Sequence, residues 1–392
     1  MEWKHYKMDK LIEEISMGPF GSDVKKEFYV DNGVPILNGS NLQGFKLQED
    51  SFGYLTKEKA DSLKKCNAHR GDIIVTHRGT LGQIVYVPVN SKYDRYVISQ
   101  SQFRFRCKAD LVDAQYLVYY FHTREGQYKI LANASQVGVP ALARATSTFR
   151  LIDIKLPPLD DQRRIASILS SLDRKIELNN KINAELEEMA QAIFKNWLSN
   201  CSEEVSLSEI SLNITDYEKC DADKVVLINS SDVTEGFFDH HNYTPNKDLK
   251  GHFKKRFQKG DVLYSQVRPR NRHWAYCNFD ARDYLASTQL MVIRNNPKNM
   301  TSILLFQYLI NDSVWREFTL KTETRSGTFP QGNYEDLSNI RVPYNKKFMN
   351  ISRQLENIYK EVYLLYDENS RLSTLRDTLL PRLMSGELEV PE

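Results

Sequence analysis

The sequence predicts an α+β protein: two globular mixed α/β domains separated by two long helices that pair as an antiparallel coiled coil, in a pseudo-twofold internal repeat. Three observations lead there. From Ile165 to Leu198, apolar residues fall at Ile165, Leu169, Leu172, Ile176, Leu186, Ala190, Ile193 and Trp197, in the four-and-three steps of a helix packed along another helix. The same seam recurs 186 residues later as Ile351, Leu355, Ile358, Val362, Leu372, Leu379 and Leu383, so the chain is written twice. Between the seams lie short β-rich runs punctuated by glycine turns, each half closing on helical apolar spacing.

In chain order, residues 1–156 form the first domain. DIIVTH and QIVYVP flank a Gly-Thr-Leu-Gly turn and read as strands, and AQYLVYYFHT has helical spacing. Residues 157–199 form the first long helix: Pro157 and Pro158 stop the preceding strand, and Asp160 and Asp161 suit a helix N-terminus. A polar stretch beginning at Ser199 links the halves. Residues 200–342 form the second domain, with DVLYSQV as a strand and SILLFQYLIND as a helix, and residues 343–392 hold the second long helix and a closing segment. The echo extends through the domains: Ile36–Leu42 (ILNGSNL) resembles Leu227–Val233 (LINSSDV), Gly44-Phe45 matches Gly236-Phe237, RGDIIVTHRG from Arg70 matches KGDVLYSQVR from Lys259, and ISQSQFRFR from Ile98 resembles ASTQLMVIR from Ala286. The Gly-Asp pairs in these runs, Gly71-Asp72 and Gly260-Asp261, precede apolar strands and read as turns, not as catalytic groups.

Asn179 and Asn183 interrupt the first seam, and Asn183 falls opposite Asn369 in the repeat while Asn179 falls on Leu365. A run of about 33 residues spans ~50 Å. An antiparallel pair would bring the mid-helix amides of Asn183 and Asn369 together, where they bond each other and fix register and orientation. The alternative is that these asparagines lie at the edge of the seam, in water.

Composition bounds the class. The apolar share of 41% and charged share of 27% are ordinary for a globular chain. No run approaches the ~18 apolar residues of a membrane span, and the N-terminus lacks a signal-peptide core, so a cytoplasmic protein is expected. Five cysteines show no paired or zinc-ligand spacing. Net charge is only +2, yet Lys254–Arg272 carries seven basic residues against one acid, a strong local field on a neutral whole.

Catalytic motifs are missing from the sequence: no Asp/Asn-Pro-Pro-Tyr/Phe set for methylating an amino group, no phosphate loop, no Gly-x-Ser-x-Gly and no His-Glu-x-x-His. Reading DNA would need Lys and Arg to hold phosphates and Arg, Asn and Gln to read base edges, and loops in both halves supply such residues. Candidates in the first half are Lys25, Lys26, Asn38, Ser40, Asn41, Arg78, Gln83, Gln136 and Arg144. In the second half they are Asn229, Lys254, Lys255, Arg256, Gln266, Arg268, Arg270, Arg272, Arg325 and Gln331. Glycines beside them would let the backbone approach a duplex. The competing role for any such residue is a solvated loop. VRPRNRH, from Val267, is the strongest single patch.

The repeat, with GPFGSD from Gly18, RGDIIVTHRGTLG from Arg70, LPPLDDQRRIASIL from Leu156 and LLPRLMSGEL from Leu379, resembles the specificity (S) subunit of type I restriction-modification systems over essentially the whole chain. One departure stands out: the second half has VPYNKKFMNI where the first has LPPLDDQRRI, which obscures the start of the second helix. The resemblance implies a non-catalytic subunit of a bacterial or archaeal defence complex that binds no cofactor itself. Its domains would read the two unlike parts of an asymmetric double-stranded DNA target. Its helices would set the gap and dock two modification (methyltransferase) subunits carrying S-adenosylmethionine, and restriction subunits would add ATP- and Mg²⁺-dependent cleavage. The alternative is a coiled-coil scaffold whose domains bind proteins.

Overall fold

A computed structural model describes residues 3–135, 138–247, 249, 251–324 and 330–390. The chain forms two compact units, Met1–Glu177 with Asn369–Glu392, and Leu178–Glu368. Each therefore joins one globular domain to about half of each long helix.

In the first unit a four-stranded antiparallel sheet runs in the order Ile12–Met17, Gln102–Cys107, Ile73–Thr76, Ile84–Tyr86. Within DIIVTH the successive residues Ile73, Ile74 and Val75 are all apolar because both faces of this sheet are covered. Ile73, Val75 and Ile84 enter the main core with Phe103, Phe105, Tyr116 and Leu117. Ile74 and Val85 point to the other face and pack with Leu37, Leu42, Tyr96 and Ile98. That second layer belongs to a mixed five-stranded sheet, ordered Tyr29–Val30, Gly53–Leu55, Val34–Ile36, Arg95–Val97, Asn67–His69. Helices Ala114–His122 and Arg124–Leu131 close the unit, capped by Asp113, whose Oδ1 accepts from the Tyr116 N–H at 2.9 Å, and by Thr123.

The second unit repeats this plan. Its four-stranded sheet runs Ser211–Ile214, Leu290–Asn295, Val262–Ser265, Trp274–Tyr276, the same order of equivalent strands. Val262, Tyr264, Met291 and Ile293 face the main core while Leu263, Leu290 and Val292 face the second layer. Helices Ser302–Ile310 and Asp312–Glu323 take the places of the first pair. Each unit is also tied by a two-stranded ribbon, Lys4–Lys7 with Asp153–Leu156 and Glu203–Ser206 with Arg341–Tyr344.

The long helices run Leu159–Ser199 and Met349–Ser385. In the first unit Ile165 and Leu169 share a core with Leu380 and Leu383, and Asp173 pairs with Arg376 at 2.8 Å. In the second, Asn179 Nδ2 donates to Glu368 Oε2 at 2.7 Å and Asn183 Nδ2 to the Val362 carbonyl at 3.3 Å. Numbers rise along one helix as they fall along the other, so the pair is antiparallel. Asn179 and Asn183 are buried, which removes the reading that placed them at a wet edge. Asn183 does not bond a second asparagine, as the repeat had suggested: its Nδ2 donates to a carbonyl of the facing helix backbone instead.

The two helix starts differ for a clear reason. Gln162 is buried, donating to the Pro157 carbonyl at 2.9 Å and the Leu111 carbonyl at 3.2 Å and accepting from the Asp113 N–H at 3.0 Å. Its repeat partner is Phe348, which is buried in the second core. A polar lock in one half is an apolar plug in the other, so the LPPLDDQRRI pattern is lost without loss of the helix.

Candidate nucleic-acid interface

In each unit the same three loops converge at one end of the four-stranded sheet. In the first, Asn38 Oδ1 accepts from the Ser40 N–H at 2.8 Å and opens the turn Gly39–Leu42. Gln83 Nε2 donates to the Gly39 carbonyl at 3.1 Å, and its Oε1 accepts from Thr76 Oγ1 at 3.0 Å. Arg78 bridges to Ala141, and the Gly79 N–H donates to the Pro140 carbonyl at 2.8 Å. Arg78, Ser40 and Arg144 are exposed on these loops. In the second unit Asn229 opens the turn Ser230–Asp232 in the same way. Ser230 Oγ donates to Gln289 Oε1 at 3.3 Å, and the Gln266 N–H donates to the Gln289 carbonyl at 2.9 Å. Val267 bridges to Gln331, and the Arg268 N–H donates to the Pro330 carbonyl at 3.0 Å.

These loops hold strained backbone. Among the described residues five other than glycine have positive φ, and three are arginines of this cluster: Arg144 (φ 47°), Arg268 (φ 47°) and Arg272 (φ 53°). The left-handed region costs a side-chain-bearing residue roughly 1–2 kcal/mol, and such strain concentrates at functional sites. Arg268 stands where the first unit has Gly79 (φ 89°), so an arginine replaces the residue that fits that backbone without penalty.

The basic patch of the second unit is built, not loose. Arg272 Nη2 lies 3.3 Å from Asp312 Oδ1, and its guanidinium sits 4.4 Å over the Trp315 ring. Trp315 Nε1 in turn donates to the Pro269 carbonyl at 2.9 Å. Arg270 forks onto Glu323, with Nη2 at 2.8 Å from Oε2, and this hydrogen bond holds the Glu323 carboxyl below its usual range. In the first unit, burial lowers the pKa of His77 and of His122, so neither imidazole adds a positive charge to that unit at neutral pH.

Two candidates prove structural. Asn41 is fully buried and donates from Nδ2 to the Gln48 and Asp50 carbonyls at 3.2 and 2.9 Å. It folds the loop from inside and cannot reach a base. Lys255 is also buried, its ammonium donating to the Leu290 and Thr288 carbonyls at 2.7 and 3.2 Å; burial first, then Lys254, lowers its pKa. Arg256 is half-buried and donates from Nη2 to the Arg282 carbonyl at 2.7 Å. Lys25, Lys26, Lys254 and Gln331 are exposed. Gln136 and Arg325 lie outside the described residues.

The Gly-Asp turns are confirmed as architecture. Asp72 is fully buried, accepting from the His69 N–H at 2.9 Å, Arg104 Nη1 at 3.2 Å and Arg106 Nε at 2.8 Å. Asp261 does the same with the Gln258 N–H at 2.9 Å and a forked Arg294 at 2.7 and 2.8 Å. Among the described residues no three His, Cys, Asp or Glu side chains are grouped to hold a metal ion, and no helix is long and apolar enough to cross a membrane.

Sequence reasoning missed the aromatic side chains at this end. Phe20 is 81% exposed and lines a cavity of about 280 Å³ with Asn38 and Gln100. Tyr217 is 52% exposed and lies under Lys254 Nζ, 4.9 Å from its ring centroid. An exposed aromatic leaves no periodic signal; only its place beside a glycine-rich turn hinted at the first.

The units form a duplicated α+β scaffold presenting matched but differently furnished polar loops. The comparisons agree. Residues 2–188 match the family model for the type I restriction modification DNA specificity domain. The specificity subunit of the type I restriction enzyme HindI from Haemophilus influenzae is 38% identical over 138 residues, which is 35% of this chain and 30% of that protein. The MjaIX specificity subunit of Methanocaldococcus jannaschii is 23% identical over 98% of this chain and 93% of its own length. The crystal structure of the S subunit from M. genitalium shares the fold, with a TM-score of 0.65 at 16% identity over 97% of this chain and 96% of that one. The chain thus resembles the specificity subunits of type I restriction-modification systems, through a matching specificity domain in its first half and a shared fold along its length.

Proposed function

We propose that this chain is the subunit that chooses the DNA sequence for a type I complex. Each globular unit reads one half of a bipartite, asymmetric target, and the antiparallel helices set the unread gap and dock two modification subunits. S-adenosylmethionine would be bound by those subunits, and ATP and Mg²⁺ by restriction subunits in a cytoplasmic assembly. The observation that carries this reading is the repeated loop cluster with unlike side chains: Arg78 against Val267, Gly79 against Arg268, Ala141 against Gln331. One scaffold offering two different faces suits a target of two different halves.

The test is methylation mapping after adding a modification subunit. The expected product is adenine methylation confined to one bipartite sequence; methylation without regard to sequence would refute the proposal. Binding to that target should also weaken steeply as salt rises, because bound Lys and Arg release counterions from DNA. Affinity indifferent to salt would favour a protein-binding scaffold instead.

The spacing role makes its own expectation. Four residues inserted into each helix, after Glu177 and after Glu368, lengthen the pair by about 6 Å, close to two base-pair steps at ~3.4 Å each. The mapped target should gain about two base pairs in its gap while both half-sequences stay the same. A changed half-sequence would count against the helices as spacers.

A further inference from the structure

The exposed rings of Phe20 and Tyr217 call for a function. Each follows the edge strand of its unit's four-stranded sheet: Phe20 lies three residues beyond Met17, and Tyr217 three beyond Ile214. Phe20 is held rigidly in that exposed position. The Gly18 N–H donates to the Gln102 carbonyl at 2.8 Å, and a Cβ on Gly18 would meet the Ser99 oxygen at 1.9 Å. A Cβ on Gly21 would meet Gln100 Oε1 at 2.5 Å. Asp23 closes the turn, its Oδ2 accepting from the Phe20 N–H at 3.0 Å and its own N–H donating to the Phe20 carbonyl at 2.9 Å. The motif GPFGSD is therefore a clamp that presents one apolar ring to water, beside Asn38 of the converging loops.

Tyr217 is presented by different means. The Asp216 carbonyl accepts from the Arg256 N–H at 2.9 Å, Asp216 Oδ1 accepts from the Glu218 N–H at 2.9 Å, and Lys254 covers one face of the ring. A ring covered on one face by the exposed Lys254 sits where a phosphate backbone would be drawn. Large aromatic rings are normally buried, and aromatic or apolar side chains that enter DNA stack on bases or wedge between base steps.

We propose that Phe20 and Tyr217 are base-stacking residues, one per unit, each ring entering one base step of the half-target its own unit reads. This rests on the DNA-reading function proposed above. The lysines and arginines around them hold the phosphates, and the rings convert that general attraction into a fixed register on the duplex.

The experiment uses the full chain assembled with its modification subunit, on duplexes carrying the mapped target with one purine at a time replaced by 2-aminopurine. In the wild type, one position in each half should brighten severalfold as its neighbour is unstacked. Phe20→Ala should extinguish the signal in one half and Tyr217→Ala that in the other, each with about tenfold weaker binding. The slope of affinity against salt should stay unchanged, because the phosphate contacts remain. Phe20→Tyr and Tyr217→Phe, which keep a ring, should restore signal and affinity. Alanine variants that keep every signal and the wild-type affinity would overturn the assignment. So would one variant that dims both halves equally. Thermal midpoints check folding; if Phe20→Ala lowers its midpoint, Phe20→Asn takes its place under the same criteria. A wild-type complex that does not prefer the target over a scrambled duplex would instead refute the DNA-reading function itself.

Discussion

Asp72→Ala is expected to lower the free energy of unfolding by about 4 kcal/mol, within the ~3–5 kcal/mol range for breaking a buried ion pair. The carboxylate is fully buried and serves three donors at once. Removing it strands the guanidinium of Arg104, whose side chain is 4% exposed and keeps, among the described residues, Glu14 as a charged partner at 2.7 Å. Asp261→Ala should cost less, about 3 kcal/mol, because its partner Arg294 is 30% exposed and water can reach it. Denaturant titration of the two variants measures both. Adding Arg104→Met to Asp72→Ala should recover part of the loss, since an apolar side chain in that place has no charge to strand. If Asp72→Ala is as stable as the wild type, the buried turn is not what anchors the strand Ile73–Thr76. A catalytic role for Asp72 predicts the opposite pattern, a stable but inactive variant.

How much of this was legible in the sequence follows from which interactions are periodic. The long helices could be read because a packed seam repeats every three or four residues, and the duplication because Ile165 and Ile351 begin the same pattern. The strand runs were legible because a sheet covered on both faces needs apolar side chains at successive positions, as in Ile73, Ile74 and Val75. The loops were legible only as places. Asn38, Asn41 and Asn229 sit in a repeated polar motif, but the same amide can read a base or cap a turn, and only coordinates show these three building turns. Lys255 deceived for a related reason: a lysine within a basic run reads as a phosphate contact, yet strand pairing with Tyr284–Ser287 turns it inward onto two carbonyls. Asn183 was placed in the seam correctly but its partner was not, because register at the level of one side chain depends on how closely the facing backbone approaches.

Arg268→Gly should move stability and DNA affinity in opposite directions, and the contrast is what tests the site. The wild-type residue holds φ 47°; glycine reaches that region freely, so the strain of roughly 1–2 kcal/mol is relieved, offset in part by glycine's greater freedom in the unfolded chain. A net gain of about 0.5 kcal/mol is expected, read as a small rise in the denaturation midpoint. The hairpin exit itself should survive, because Gly79 already fills the equivalent place in the first unit with the same N–H donation to a proline carbonyl, Pro140 there and Pro330 here. Binding should fall about tenfold or more, since a well-placed arginine on a base edge contributes ~1–3 kcal/mol of discrimination. The loss should be confined to one half of the target, with methylation spreading to sequences altered in that half alone. Arg268→Ala separates the two contributions: it removes the guanidinium but keeps a Cβ at positive φ, so affinity should fall as far while stability does not rise. If Arg268→Gly binds like the wild type, the strained arginine serves the fold and not the duplex, and the equivalence with Gly79 becomes a simple difference between two loops. If both affinity and stability fall, the turn Pro269–Asn271 depends on the Arg268 side chain, and the base-reading role would pass to its neighbours.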